Sequence, residues 1–364
     1  MARPQTLPLT DKDTVDVAGL AAFLRARGVA LADAVTVTRF PGGHSNLTYL
    51  VDDGALQVIV RAPPPGAHTV SGHDMVREAR VLQAVGGRGV KVPRVLAVGE
   101  DAASSPLGAP FFAMERVAGR VLRHKLPDDV VLDATRMQTL TTALVDELAA
   151  LHALDLDDGT PEARALMALG KPEGYVQRQV DGWIARYEKA KTDDISDIDA
   201  VVAWLRAGVS AFPSSRPSIV HNDFKLDNVV VSDDATAICA VLDWELATVG
   251  EPLLDLGTTL AYWVQADDGD DVKALPMGLT WLPGCLRRAE VVARWAERTG
   301  RAVENDALVF AFVLASFKVA VIAQQIYARY QRGFSTDPRF AMLDFAVAVI
   351  GARARRAIDD ATVG

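Results

Sequence analysis

Alternating hydrophobic and polar positions mark three short strands near the start of the chain. They cover residues 35–40 (VTVTRF), 47–51 (LTYLV) and 56–61 (LQVIVR). Asp53 and Gly54, between the last two strands, are typical of a hairpin turn. The segment 41–46 (PGGHSN) interrupts the alternation between the first two. The pattern therefore predicts a three-stranded meander whose first turn contains glycine.

Hydrophobic spacing of three to four residues follows this meander. It predicts a helix over residues 70–85, and two further apolar segments predict strands over residues 94–98 and 111–117. Beyond Gly119 the helical spacing dominates, as in the leucines at 140, 144, 148 and 151, and it continues to residue 357. One β-rich island, over residues 219–242, interrupts the helices.

These elements predict an α+β fold with two lobes. We expect a small β-rich N-terminal lobe over residues 1–115 and a large helical C-terminal lobe over residues 116–364. The hinge between them is expected near residues 115–119. The length of 364 residues agrees, because it exceeds what one simple hydrophobic core supports.

Charge and cysteine content narrow the class of protein. The chain has 38 basic and 47 acidic side chains, and an acidic surface does not attract the phosphate backbone of nucleic acid. Two cysteines are too few for a disulfide framework or a zinc site. The N-terminus lacks the apolar core of a signal peptide. We expect a cytoplasmic protein with no nucleic-acid or membrane partner.

Two further segments have a structural interpretation. Residues 307–323 form the most apolar stretch, but Ser316 and Lys318 interrupt it, so we expect a buried helix of the C-terminal lobe. The acidic run 267–271 lacks the spaced ligands and the terminal glutamate of a calcium loop. We expect it to be a solvated turn.

The candidate chemistry lies in the β-rich island. Segment 221–228 (HNDFKLDN) contains Asp223 and Asn228, and Asp243 closes the following apolar strand. A first carboxylate can accept the proton of an attacking hydroxyl, while an asparagine oxygen and a second carboxylate are hard ligands suited to Mg²⁺. Each residue alone would be read as a turn or strand-end residue. Together they predict a phosphoryl-transfer site.

The same residues resemble the aminoglycoside phosphotransferase and choline kinase-like enzymes, which share the protein-kinase fold. Segment 221–228 resembles their catalytic loop, and Asp243 stands where protein kinases have the Asp-Phe-Gly motif. The resemblance covers roughly residues 35–262. It implies a bilobal protein-kinase-like fold, ATP and Mg²⁺ as cofactors, and a small-molecule hydroxyl substrate. It also implies that Asp223 and Lys225 are catalytic, with Lys225 neutralising the transferred phosphate. The alternative for Lys225 is an ordinary solvated lysine of the loop.

The resemblance also assigns nucleotide-binding residues in the N-terminal lobe. A phosphate-covering loop would consist of Gly42, Gly43, His44 and Ser45. Arg61 stands where the family usually has a phosphate-binding lysine, and Glu78 resembles the helix glutamate that pairs with it. Met114 and Glu115 lead into the hinge, where such enzymes hold adenine.

Three hypotheses about function stay open on the sequence. The first is a small-molecule kinase whose acceptor is a hydroxyacyl-CoA or a similar hydroxy metabolite, because residues 40–49 and 60–66 resemble kinase-like domains fused to some acyl-CoA dehydrogenases. The second is an aminoglycoside-type antibiotic kinase. The third is a nucleotide-binding pseudokinase without catalysis.

Overall fold

A six-stranded sheet is built by the first part of the chain. The computed structural model describes residues 6–10, 13, 15–41, 46–64, 74–126, 130–335 and 337–364. The strands of the sheet are β1 (Leu7–Pro8), β2 (Thr36–Arg39), β3 (Leu47–Asp52), β4 (Gln57–Ala62), β5 (Val95–Gly99) and β6 (Phe111–Glu115), in the order β1-β2-β3-β4-β6-β5. Every neighbouring pair is antiparallel. The predicted meander is confirmed as β2, β3 and β4.

Each face of the sheet packs against a different helix. Val58 and Val60 of β4 belong to a cluster with Leu20 and Leu24 of helix α1 (Val17–Ala26). Ile59 lies between them in sequence and belongs to the main core instead, together with helix α2 (Met75–Gly86). Successive side chains of a strand point to opposite faces, so β4 contributes to both cores.

The start of the chain contains two elements that the pattern did not predict, β1 and α1. Strand β1 has only two residues, and α1 begins at an aspartate cap, Asp16, whose side chain accepts a hydrogen bond from the Gly19 amide. The helix predicted over residues 70–85 is confirmed as α2. Its expected first residues, and the predicted loop of Gly42, Gly43, His44 and Ser45, lie outside the described residues.

Helices form most of the chain beyond β6. They are α3 (Ala134–His152), α4 (Pro161–Met167), α5 (Tyr175–Ala190), α6 (Ser196–Gly208), α7 (Pro252–Tyr262), α8 (Asp270–Lys273), α9 (Arg288–Thr299), α10 (Asn305–Gln331) and α11 (Leu343–Asp359). Helix α10 is long and apolar enough to cross a membrane, but 89% of its most apolar window is buried inside the protein. It is the predicted buried helix, and it packs against α5, α6, α7 and α11.

The β-rich island consists of two separate ladders. Strand β7 (Ser218–Val220) pairs with β10 (Thr248–Gly250), and β8 (Val229–Val231) pairs with β9 (Ile238–Val241). The chain leaving β6 is attached to this island, because Arg120 and Val231 exchange backbone hydrogen bonds of 2.8 Å. Gly119 has φ +130°, and a Cβ there would lie 2.2 Å from the Val231 carbonyl oxygen. Only glycine permits this approach.

The expectation of a solvated turn at residues 267–271 was wrong for Asp268. Its carboxylate receives two hydrogen bonds from the Arg288 guanidinium, at 2.7 and 2.8 Å, and lies 3.8 Å from Arg353. These arginines lower the pKa of Asp268 despite its burial. The signal was missed because both arginines are distant in sequence.

Candidate active site

The segment after β7 brings three of the predicted residues together. The Lys225 Nζ lies 2.9 Å from one carboxylate oxygen of Asp223 and 3.0 Å from the other. The Asn228 side-chain amide donates to the Asp223 carboxylate at 2.7 Å and to its backbone carbonyl at 2.9 Å. Burial alone would lower the pKa of Lys225, but the neighbouring Tyr262 and Asp223 raise it. The Asp223 carboxylate is therefore held in one orientation beside a permanent cation.

A buried carboxylate on α7 holds the start of this segment. Asp255 accepts the backbone amides of His221 and Asn222, each at 2.7 Å. The His152 Nε2 is 3.1 Å from the same carboxylate. Because the Trp295 indole donates to His152 Nδ1 at 2.9 Å, Nε2 must carry the proton that Asp255 accepts. These contacts lower the pKa of Asp255 against the effect of its burial.

The same segment is fixed at Asn222, which has a left-handed backbone with φ +66°. Its side chain accepts from the Tyr175 hydroxyl at 3.0 Å and donates to the Leu246 carbonyl at 3.0 Å. Asparagine tolerates this conformation better than most residues. The backbone amide of Asp223 donates to His221 Nδ1 at 3.3 Å, and His221 Nε2 contacts the Leu242 carbonyl at 2.9 Å. His221 thus supports the loop.

Arg61 lies between two acidic side chains of different elements. Its guanidinium is 3.0 Å from Glu78 on α2 and 3.0 Å from Asp243, which follows β9. Asp243 also has a left-handed backbone, with φ +66°. Burial would lower the pKa of Arg61, but Glu78 and Asp243 raise it. Burial raises the pKa of Glu78, and Arg61 opposes that change.

A fourth charged residue of this cluster, Glu245, was not predicted. Its carboxylate lies 3.8 Å from Arg61 and accepts the side-chain amide of Asn46 at 2.7 Å. Burial, together with the charge of Asp243, raises the pKa of Glu245 to about 8, and Arg61 opposes this. Glu245 is therefore protonated over much of the neutral range.

The two predicted metal ligands each present a side-chain oxygen that accepts no hydrogen bond within the described residues. Among the described residues, nothing donates to Asn228 Oδ1 or to the Asp243 oxygen that Arg61 leaves unpaired. Within the same residues, no group of three or more His, Cys, Asp and Glu side chains is arranged to hold a metal. A Mg²⁺ ion here would complete its shell with nucleotide and water oxygens, as this ion usually does. Arg61 Nε is buried and has no partner in the described part of the chain, which suits a phosphate oxygen.

Two further predicted residues, Met114 and Glu115, lie on β6, the last strand of the sheet in chain order. Met114 is buried in β6 opposite Ile59. Glu115 is paired with Arg94: its backbone amide donates to the Arg94 carbonyl at 2.9 Å, and its side chain accepts the Arg94 amide at 3.1 Å. The structure thus places both at the point where the chain leaves the sheet.

Comparison with known proteins identifies the family. The model of the phosphotransferase enzyme family matches residues 36–301. This chain belongs to that family. The match includes every residue of the Asp223 and Asp243 clusters, and the resemblance inferred from the sequence is confirmed.

The curated relatives of this phosphotransferase are longer proteins. Mouse acyl-CoA dehydrogenase family member 10 is 32% identical over 263 residues, covering 72% of this chain and 24% of the relative. Rat acyl-CoA dehydrogenase family member 11 is 30% identical over 338 residues, covering 90% of this chain and 41% of the relative. The chain therefore spans well under half the length of each.

Solved structures confirm the fold of the phosphotransferase as protein-kinase-like α+β. A Ralstonia eutropha JMP134 protein assigned as an aminoglycoside phosphotransferase has a TM-score of 0.77 at 27% identity, covering 95% of this chain and 98% of that one. A ternary complex of aminoglycoside phosphotransferase APH(4)-Ia with ADP and hygromycin B gives 0.57 at 16% identity, covering 94% and 98%. Plasmodium vivax ethanolamine kinase has a TM-score of 0.56 at 12% identity, covering 89% of this chain and 83% of that one.

Several residues of the phosphotransferase site escaped the sequence analysis. Asp255, Glu245 and Lys318 contact the predicted residues or their loop, yet all three are ordinary members of apolar or turn segments. Tyr262 lies with its ring 4.2 Å from Lys225 Nζ. Glu245 and Asp255 had a signal, because segments 243–245 (DWE) and 250–256 (GEPLLDL) both resemble the family's sequence at and after the metal-binding aspartate.

Proposed function

We propose that this chain is an ATP-dependent phosphotransferase that moves the γ-phosphoryl group to an alcohol hydroxyl of a small molecule. The observation that supports it is the joint placement of Asp223, bound to Lys225 and Asn228, and of Asp243, bound to Arg61. A turn or a strand end would need neither a lysine fixed on the aspartate nor a buried arginine on the next carboxylate.

In this proposal Asp223 is the catalytic base. Its carboxylate accepts the proton of the acceptor hydroxyl while the hydroxyl oxygen forms a bond to the γ-phosphorus and the bond to ADP breaks. Asn228 keeps the carboxylate oriented. Lys225 neutralises charge on the transferred group, and its raised pKa keeps it cationic at neutral pH.

Asn228 and Asp243 would hold Mg²⁺, whose bound charge neutralises the phosphate oxygens. Arg61, positioned by Glu78, would bind phosphate oxygens in place of the usual lysine. The loop of residues 42–45 would cover the phosphates, and Met114 and Glu115 would flank adenine. The structural neighbour APH(4)-Ia contains ADP in its ternary complex, which supports ATP as the donor.

The boundary between the lobes is proposed after Glu115, giving residues 1–115 for nucleotide binding and 116–364 for the catalytic loop and the acceptor site. A cytoplasmic location and a small-molecule partner complete the proposal. The half-buried free thiols of Cys239 and Cys285 agree with a reducing compartment.

For the acceptor we favour a hydroxyacyl-CoA or a similar hydroxy metabolite. The support is that two relatives about 30% identical carry acyl-CoA dehydrogenase names. Aminoglycosides are the second candidate, because hygromycin B is bound by a structural neighbour. That neighbour is far more distant in sequence.

The decisive experiment measures ADP release by the purified chain against hydroxyacyl-CoAs, aminoglycosides and choline-like alcohols. Asp223→Asn should abolish release with the active acceptor while leaving the nucleotide Kd nearly unchanged, since Asp223 faces the hydroxyl. The matched control is Asp233→Asn. Asp233 is an exposed loop residue, so this variant should keep wild-type activity. Nucleotide binding without release for any acceptor would favour the pseudokinase hypothesis, and turnover by Asp223→Asn would remove the base assignment.

A further inference from the structure

Lys318 is a buried lysine of α10 that the proposed transfer reaction does not use. Only 8% of the residue is exposed. Its Nζ donates a hydrogen bond to the backbone carbonyl of Asn222, the residue before Asp223. Among the described residues, no carboxylate oxygen lies within 4.0 Å of this Nζ. A buried ammonium without a direct counter-charge is unfavourable, so its presence requires a reason.

The Lys318 side chain lines a pocket beside the catalytic loop. The Lys318 pocket is a small cavity of about 20 Å³ between α5, α7 and α10 that opens to solvent, which is room for one small polar group. Its walls combine apolar and aromatic side chains with two amides and a hydroxyl: Tyr175, Trp183, Leu254 and Leu314 with Gln179, Asn222 and Thr258. Polar groups converging between apolar walls are typical of sites that orient a small molecule.

The hydrogen-bonding capacity of Lys318 is incompletely used by its neighbours. Burial lowers the pKa of Lys318, while Asp223 and Asp255 oppose the change from beyond contact distance. An ammonium has three donors, and the Asn222 carbonyl takes one. The Trp183 ring centroid is 5.7 Å from Nζ and provides only weak compensation. Within the part of the chain that the structure describes, two N–H groups of the ammonium therefore remain for a ligand.

We propose that the Lys318 pocket binds an anionic group, a carboxylate or a phosphate, of the acceptor molecule. The inference rests on the proposed function, since it treats this pocket as the acceptor site. Asn222 lines the pocket and is followed directly by Asp223, so one molecule can present its anion to Lys318 and its hydroxyl to Asp223. Such a site selects hydroxy acids or hydroxyalkyl phosphates and disfavours polycationic acceptors.

Equilibrium binding tests the pocket without any transfer reaction. Calorimetry would compare pentanoate, butyl phosphate and the uncharged pentanamide on wild type, Lys318→Met and Lys318→Arg. We expect one of the anions to bind wild type about tenfold more tightly than the amide, because a charge-assisted hydrogen bond is lost with the amide. Lys318→Met should abolish this preference and Lys318→Arg should retain part of it. Lys189→Met, on the exposed face of α5, is the control and should change nothing.

The two anions separate the possible sources of the charge. If pentanoate binds more tightly, the acceptor carries a carboxylate. If butyl phosphate binds more tightly, the acceptor carries a phosphate. Equal binding of both anions and the amide to wild type overturns the proposal, and so does a preference that persists in Lys318→Met. Should Lys318→Met fail to fold, the wild-type preference and its reduction in Lys318→Arg decide the matter.

Turnover separates an anion site from a purely structural lysine. Hydroxypentanoates and their amides would be compared as acceptors, with the hydroxyl on the third, fourth or fifth carbon. A lysine that only holds the Asn222 carbonyl would, when replaced, lower kcat/KM equally for acid and amide. If Lys318 binds the anion, its replacement should lower kcat/KM for the acid alone. If no hydroxyl compound of any class is phosphorylated, the proposed function fails, while the binding comparison still judges the pocket.

Discussion

At the scale of single residues, the cleft beside Asp243 is organised by charge. Arg61 touches Glu78 and Asp243 at 3.0 Å and Glu245 at 3.8 Å, so one cation faces three acidic groups. The cluster stays close to balance because Glu245 is protonated below about pH 8. An arginine suits this position better than a lysine, since its planar fork reaches several oxygens at once.

Arg61 is predicted to be the main cation for the nucleotide phosphates. Arg61→Ala should raise the nucleotide Kd by roughly ten- to a hundredfold, because a charge-assisted hydrogen bond contributes on the order of 1.5–3 kcal/mol. Arg61→Lys should raise the nucleotide Kd by a smaller factor. The measurement is nucleotide titration with Mg²⁺ present, and Arg80→Ala, exposed on α2, is the control. An unchanged Kd in both Arg61 variants would contradict the role.

Glu245 is predicted to make stability fall with rising pH. Its pKa of about 8 in the folded protein lies above the ordinary value of 4.5, so the folded state binds more protons between these values. The contribution is fully present below about pH 4.5 and is lost as pH approaches 8. Urea unfolding of wild type should show a loss on the order of 4–5 kcal/mol, at about 1.4 kcal/mol per pKa unit. Glu245→Gln should show a flatter profile, and parallel profiles would refute the assignment.

At the scale of elements, α7 anchors the proposed catalytic loop, residues 221–228. Asp255 accepts the two successive amides of His221 and Asn222, and His152 joins α3 to the same carboxylate. Trp295 extends the network to α9. Three helices thus fix one loop, and the position of Asp223 depends on all of them.

Replacing the anchor should destabilise the protein. Asp255→Asn removes a buried acceptor charge and turns an amide toward two backbone donors, so we expect a loss of about 3–5 kcal/mol. Asp270→Asn, on the surface of α8, should stay within about 0.5 kcal/mol of wild type. Urea unfolding measures both. A mild effect at Asp255 would mean that the loop is held by other contacts.

At the scale of the whole molecule, one hydrophobic core crosses from the sheet into the helices. Leu50, Ile59 and Phe112 of the sheet belong to the same buried cluster as Leu140 and Phe317 of the helical region. Burial shared in this way couples the stability of the two parts. The smaller cluster around α1 lies on the opposite face of the sheet.

A continuous core predicts a single unfolding transition. All six tryptophans lie beyond residue 115 and report the helical region. A fluorophore on Ala55→Cys, in the turn between β3 and β4, would report the sheet once Cys239 and Cys285 are replaced by alanine. The two signals should share one urea midpoint. Separate midpoints would show that the lobes unfold independently.

Local patterns predicted much of this structure, and contacts between distant segments explain the rest. Strand alternation located β2 to β4, two apolar segments located β5 and β6, and segment 221–228 identified the loop of Asp223. The pairing of Arg61 with Asp243 spans 182 residues and that of His152 with Asp255 spans 103. The family resemblance predicted a pair of Arg61 with Glu78, and neither of these two longer-range pairs was predicted. Spacing within one segment carries no information about such partners.

The anchoring of the loop by Asp255 has a consequence for amide hydrogen exchange. Loop amides usually exchange with solvent quickly, through small local openings. The amides of His221 and Asn222 instead donate to a fully buried carboxylate at 2.7 Å. Their deuterium uptake should be as slow as that of the core helices, because exposing them requires α3, α7 and α9 to separate. The catalytic loop would then be among the last parts of the protein to exchange.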